Sequence, residues 1–277
     1  MTDLLKIAVL GAGYVGGALA RSASQRGNAV WAVRRGAGSD GHDGVHWVRG
    51  DLSTGALDGL PQALDVVVLT IAPSRASDGY AGTYPPAART AVSLAERSGA
   101  RVLLYTSSTG VYGGRDGEWV TEESPRCGVG ETNDALKAAE DIVLGVAAAR
   151  PTVLRVAGIC GPGRDPTARM MAAASLPQRG EYWVNLAHRD DVVAALLHLM
   201  VLADAPRVLN CSDGAPTRAA EVARFLVARA GHDVGQLVFG NESMRSRNDQ
   251  RVRNAALSAT GWAPRYPSFR ESLSTGL

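Results

Sequence analysis

The chain has 277 residues, 45% of them hydrophobic and 20% charged, with a formal net charge of +2: a globular protein with a real core, large enough for one big domain or two modest ones. The 29 Lys and Arg are scattered, without a basic block or basic–aromatic array, which argues against nucleic acid as a partner. Five His and three Cys include no CxxC pair and a single HxxxH pair, His42 and His46, which argues against a structural zinc site, and the apolar run 66–72, broken only by Thr70, is too short to cross a membrane.

Taken in chain order, residues 7–10 read as a strand and 14–25 as a helix. Strands follow at 29–33, 45–48 and 65–71, then a helix at 86–98 and a strand at 101–106. A helix at 134–149 and a strand at 152–156 complete the first half. These strands are rich in Val, Ile and Leu without polar alternation, which suits parallel strands covered on both faces. Strand–helix alternation predicts an α/β fold, a doubly wound parallel sheet of Rossmann type. After Val156 the rhythm breaks. Residues 158–163 and 166–177 read as loop-rich; a helix is predicted at 189–202, a strand at 207–211 and a helix at 217–230, followed by an irregular tail with Trp262, Pro264 and Pro267. The expected division is a Rossmann domain over 1–157 and a smaller substrate-side region over 158–277, with 185–213 completing the Rossmann sheet. The sparse, odd cysteine count and the lack of a signal-type apolar stretch near the start fit a cytoplasmic location.

The strongest local motif is Gly11-Ala12-Gly13-Tyr14-Val15-Gly16, between a strand and a helix. The first glycine permits a tight turn, the second lets backbone approach a pyrophosphate, and the third allows close helix–strand packing, while the helix N-terminus offers N–H donors. The end of the second strand decides between cofactors. A carboxylate there would accept from the ribose 2′-hydroxyl of NAD; here Arg34 and Arg35 stand instead, two guanidiniums suited to a 2′-phosphate, so NADP(H) is expected. Asp51, followed by Leu52, either meets the adenine amino group or caps a turn.

Further segments, read with these, resemble one family. Tyr105-Thr106-Ser107-Ser108-Thr109-Gly110-Val111-Tyr112-Gly113 looks like an SS-x-x-VYG strand end. The run from Leu154 and Arg155 to Gly161-Pro162-Gly163 is similar to LR-x-x-x-x-YGPG. His188-Arg189-Asp190-Asp191-Val192 resembles the IHxDDxA segment, and Asn254-Ala255-Ala256-Leu257 with Gly261-Trp262 resembles N-x-x-L…LGW. In this order the pieces resemble the extended short-chain dehydrogenase/reductases, in their NAD-dependent epimerase/dehydratase branch. The resemblance implies catalysis by a strand-end hydroxyl, here Ser108 with Thr109 beside the substrate, and by a Tyr-x-x-x-Lys pair. Counting back from Glu140 puts the tyrosine position at Thr132 and the lysine position at Leu136; a shift of one gives Asn133 and Lys137. Neither register has a tyrosine, so the chain resembles atypical members. A Thr hydroxyl is not readily tuned toward neutral pH, and a general acid or base works best there. Tyr112 is the alternative phenol. Lys137 either approaches the nicotinamide ribose or is solvated, and His188 is a candidate polar wall for substrate. The expected function is an NADP-dependent oxidoreductase acting on a small polar metabolite. Two alternatives stay open: a sugar-nucleotide epimerase or dehydratase, and a non-catalytic NADP(H)-binding sensor or scaffold. The expected partner is a small-molecule substrate, with no nucleic acid and no membrane, and a homodimer is left open.

Overall fold

The computed structural model describes residues 4–36, 43–72, 79–164, 180–237, 239 and 249–274. The chain divides into two compact units, the first formed by residues 1–111, 129–155 and 192–209, the second by 112–128, 156–191 and 210–277.

The first unit is organised by a seven-stranded sheet. In chain order its strands are β1 (Lys6–Leu10), β2 (Ala29–Arg34), β3 (Val45–Arg49), β4 (Val66–Leu69), β5 (Val102–Ser108), β7 (Arg150–Val156) and β11 (Val208–Cys211), where β6 and β8 to β10 are short strands given below. The order across the sheet is β11-β7-β5-β4-β1-β2-β3, and β3-β2-β1-β4-β5 are joined by parallel pairings. Chain direction across the sheet therefore reverses between β1 and β4, the place where doubly wound sheets receive ligands. Every residue of β4 is buried, and so are Ile7, Ala8, Val9 and Leu10 of β1, as the unbroken apolar runs predict for strands covered on both faces.

Helix α1 (Tyr14–Gln25) follows β1 and has the predicted bounds. Helix α2 (Tyr84–Ser98) begins two residues before the expected start, because Pro85 and Pro86 fall in its first turn, where their missing N–H groups cost nothing; Gly99, at φ +68°, ends it. Helix α3 (Glu131–Leu144) is displaced toward the N-terminus relative to the predicted 134–149. Glu131 and Asp134 suit the positive end of a helix, and Gly145 closes it. Helix α4 (Arg189–Val201) buries Val192, Ala195, Leu196 and Leu199 completely.

The second unit is built from short pieces. Strand β8 (Gly158–Cys160) pairs in parallel with β10 (Leu186–His188), which corrects the loop reading of 158–163. Strand β6 (Glu118–Val120) pairs with β13 (Gln250–Val252), and β9 (Trp183–Val184) with β12 (Thr217–Arg218). Helix α5 (Ala219–Arg229) packs Val222 and Leu226 with Cys160 and with Phe269 and Leu273. The tail, expected to be irregular, holds two short helices, α6 (Ala255–Ala259) and α7 (Phe269–Ser274). Elements of five or six residues leave too little periodicity to read from sequence. The predicted loop over 166–177 lies outside the described residues. Among those residues no helix is long and apolar enough to cross a membrane, and no cluster of three His, Cys, Asp or Glu could hold a metal ion.

Candidate active site

The glycine motif occupies the turn between β1 and α1. Gly11 has φ +87°, and a Cβ placed on it would lie 2.7 Å from both Ile71 Cγ2 and the Thr70 carbonyl oxygen. A Cβ on Gly16 would lie 2.2 Å from Thr70 Oγ1 and 2.6 Å from the Gly11 oxygen. Thr70 fixes this turn: its hydroxyl donates to the Gly11 carbonyl at 3.1 Å, and its N–H donates to the Leu10 carbonyl at 2.8 Å. Gly13 differs from both. The nearest atom to a Cβ there is 3.9 Å away, so its lack of a side chain serves no internal packing. Helix α1 opens with neither a side-chain cap nor an acidic residue in its first turn, where Tyr14, Val15 and Gly16 lie. An N-terminus of this kind suits an anion.

At the end of β2, Arg34 is half-buried and Arg35 exposed. Arg34 Cζ lies 5.6 Å from the centroid of the Trp47 ring. Asp51, in the next turn, accepts from Ser53 N at 2.9 Å and Ser53 Oγ at 2.7 Å. Those two donors, with the charge of Arg35, hold its carboxyl below the usual range despite some desolvation. The Asp51 carboxylate therefore caps its own turn through Oδ1. Leu52 beside it is buried.

Strand β5 ends at Ser108, which is half-buried; its Oγ accepts from Gly110 N at 3.1 Å. Thr109 is buried. In α3, Thr132 is half-buried in the first turn, and Leu136 is buried. Lys137 Nζ meets Asp134 Oδ1 at 2.9 Å one turn earlier in the helix. Behind these residues lies a polar cluster not foreseen from sequence. Ser107 Oγ donates to Glu140 Oε1 at 2.6 Å; Arg155 Nε donates to the same oxygen at 3.0 Å and Nη2 to Oε2 at 2.7 Å. The Glu140 side chain is 0% exposed and that of Arg155 4%. The sequence carried one sign of it, a carboxylate amid the apolar residues of α3, but no periodicity names its partner.

The remaining candidates belong to the second unit. Tyr112 is 2% exposed, and its phenol donates to Asn210 Oδ1 at 2.6 Å. Asn210 in turn donates from its backbone N–H to Glu122 Oε1 at 2.7 Å and from Nδ2 to the Arg253 carbonyl at 3.1 Å. His188 is 1% exposed, with its ring 3.9 Å from that of Tyr266. Asp190 N donates to His188 Nδ1 at 3.2 Å, which requires that nitrogen to be unprotonated. Burial pushes the imidazole pKa down, against the pull of Asp190 and Asp191. Asp191 accepts from the backbone N–H groups of Arg265 and Tyr266 at 2.8 and 3.1 Å, and burial raises its pKa. Asp213 is buried as well, and its carboxyl is pushed up to about 7.

A family model for the NAD-dependent epimerase/dehydratase family matches residues 7–212. Protein YeeZ of Escherichia coli K12 is 32% identical over 228 residues, covering 77% of this chain and 80% of YeeZ. Among solved structures, a Methylobacillus flagellatus protein assigned as an NAD-dependent epimerase/dehydratase superimposes with a TM-score of 0.77 at 26% identity, over 98% of this chain and 97% of the other. WbmG of Bordetella bronchiseptica, in complex with NAD and UDP, superimposes with a TM-score of 0.82 at 16% identity, over 98% and 93% of the two chains.

Proposed function

The chain belongs to the NAD-dependent epimerase/dehydratase family, and from that premise we propose that it is an NADP-dependent oxidoreductase that acts on a small polar metabolite without the family's tyrosine–lysine pair. The residues present fit the cofactor. Gly13 offers bare backbone beside the uncapped start of α1, a cradle for a pyrophosphate. On this reading Arg34 and Arg35 would take a 2′-phosphate, and Asp51, its Oδ1 capping its own turn, would border the adenine with Leu52. When bound, the nicotinamide supplies hydride transfer.

The protein's own share is binding, orientation and proton handling. Ser108 Oγ uses a lone pair to accept from Gly110 N, and this leaves its O–H to donate to a carbonyl, alcohol or imine nitrogen of the substrate. Its hydroxyl cannot be the final acid at neutral pH, so water, Thr132 or the substrate itself completes the proton path. Lys137 would have to exchange Asp134 for ribose hydroxyls to support the cofactor. Tyr112, committed to Asn210 in a buried chain of hydrogen bonds, is better suited to shape its surroundings than to trade protons.

The carrying observation is the pair of arginines at the end of β2, where a carboxylate would favour NAD. A second reading, a sugar-nucleotide epimerase or dehydratase, draws support from the UDP bound in WbmG. It is weakened by the lack of a tyrosine at both Thr132 and Asn133, the positions where the two registers of the resemblance call for one. The purified protein is assayed with NADPH or NADH against small aldehydes, ketones and imines by nicotinamide absorbance, and with the oxidised cofactors against UDP- and dTDP-sugars by chromatography of the sugar nucleotides, because epimerisation or dehydration returns the hydride and leaves the absorbance unchanged. Oxidation of NADPH by a member of the first group supports the proposal; turnover confined to the sugar nucleotides would transfer the chain to the second reading.

A further inference from the structure

Strands β2 and β3 pair in register, with Ala32 opposite Trp47 and Arg34 opposite Arg49. Side chains two residues apart share a face, so Arg34, Trp47 and Arg49 project on one side of the sheet. Two guanidiniums flank the Trp47 ring: Arg21 Cζ, from α1, is 5.4 Å from its centroid and Arg34 Cζ 5.6 Å. The two cations are differently engaged. Arg21 Nε donates to Asp43 Oδ2 at 3.2 Å. The other Asp43 oxygen accepts from Trp47 Nε1 at 3.3 Å and from Val45 N at 3.2 Å. Desolvation opposes the Asp43 charge, but these donors and Arg21 outweigh it and hold the carboxyl below its ordinary pKa. Asp43 thus neutralises Arg21. Among the described residues no carboxylate is paired with Arg34, and Arg35 and Arg49 add two more cations at the same strand ends.

A guanidinium held over an aromatic ring can still turn N–H groups toward an anion, and a side chain so held has less rotamer freedom to lose on binding. We propose that Trp47 is a positioning residue for cofactor choice: its ring holds the Arg34 guanidinium by a cation–aromatic contact, while its indole N–H orders Asp43 so that Arg21 is neutralised and Arg34 is left as the phosphate receptor. This rests on the reading that the chain takes NADP(H) at Arg34 and Arg35. NADH has no 2′-phosphate and gains nothing from that placement, so loss of the ring acts on one cofactor only.

The test is calorimetric titration of the wild-type protein, Trp47→Leu, Trp47→Phe and Arg34→Ala with NADPH and NADH, each fold checked by circular dichroism. Trp47→Leu should weaken NADPH about three- to tenfold and leave NADH within about twofold, the range expected of one partly exposed cation–aromatic contact. Trp47→Phe, which keeps an aromatic face, should recover most of the loss. Should Trp47→Leu not fold, Trp47→Met carries the same test. Equal losses for both cofactors, or an effect of Arg34→Ala on NADPH with none from Trp47→Leu, overturns the role of Trp47 alone. A wild-type protein that prefers NADH overturns the cofactor reading and this inference together.

Discussion

Arg155 holds both carboxylate oxygens of Glu140, Nε to Oε1 at 3.0 Å and Nη2 to Oε2 at 2.7 Å, with Ser107 Oγ as a third donor to the same fully buried group. The pair joins β7 to α3 beneath the end of β5. Removing one member strands a buried charge, which costs roughly 3–5 kcal/mol, whereas replacing both with apolar residues of similar volume can be nearly neutral. Glu140→Leu and Arg155→Met should therefore each lower the denaturation midpoint sharply, and the double variant should regain much of the loss. Additive losses in urea titrations of the four proteins would mean that the two side chains do not act as a pair.

Gly13 and Gly16 should answer substitution differently. Gly13→Val meets no atom of the protein nearer than 3.9 Å at its Cβ, so the variant should fold with little change and lose cofactor binding. Gly16→Ala forces a Cβ to 2.2 Å from Thr70 Oγ1 and 2.6 Å from the Gly11 oxygen, so it should lower the melting temperature itself. Thermal melts and cofactor titrations on the same samples separate the two effects. Retained binding by Gly13→Val would reduce the loop to a structural turn.

Asp213 should make stability fall as pH rises. Burial pushes its carboxyl up to about 7 from an ordinary 3.8, with Asp191 adding to the rise and the Ala215 N–H opposing it. The folded chain keeps a proton that the unfolded chain releases across that interval, so the folded state binds more protons there, and the cost of burying the carboxylate is complete above pH 7. His188 has the opposite sign: its lowered pKa adds stability as pH rises through its ordinary 6.5. Asp213→Asn, which keeps an oxygen for Ala215 N, isolates the first effect. Its gain over wild type should be near zero at pH 4 and grow to as much as about 4 kcal/mol above pH 7. A gain independent of pH would show that the carboxyl is not protonated in the fold.

Ser108 and Tyr112 can be told apart once a substrate is in hand. Ser108→Ala should slow turnover roughly ten- to a thousandfold while leaving NADPH affinity unchanged, as loss of a group aimed at the reacting atoms does. Tyr112→Phe breaks the hydrogen bond to Asn210 and should act mainly on stability, by about 1 kcal/mol or somewhat more. If Tyr112→Phe proves the more damaging to turnover, the phenol is the proton donor and Ser108 a structural hydroxyl.

The first unit was legible from sequence for a physical reason. Parallel strands buried on both faces must be apolar there, as β4 and residues Ile7–Leu10 of β1 are, and helices that follow them carry the 3.6-residue period. The glycine motif was legible because only glycine meets the contacts at Gly11 and Gly16. Of the second unit the helix expected at 217–230 was legible, found at Ala219–Arg229, but its strands were not, since strands of two or three residues such as β9 and β12 have no period to read. Side-chain pairings also escaped. Nothing in the order of residues shows that the partner of Glu140 is fifteen positions away on β7, or that the phenol of Tyr112 is taken up by Asn210. Such choices are settled by tertiary packing, which brings groups together from separate elements.

The arginines at the end of β2 carry the account of cofactor choice. Calorimetric titration of the wild-type protein and of the double variant Arg34→Ala, Arg35→Ala with NADPH and NADH tests it most directly. The wild type should bind NADPH more tightly, and the double variant should lose about 1.5–3 kcal/mol of NADPH affinity for each charge-assisted contact removed, with little change for NADH. Equal wild-type affinities, or a preference for NADH, would contradict it.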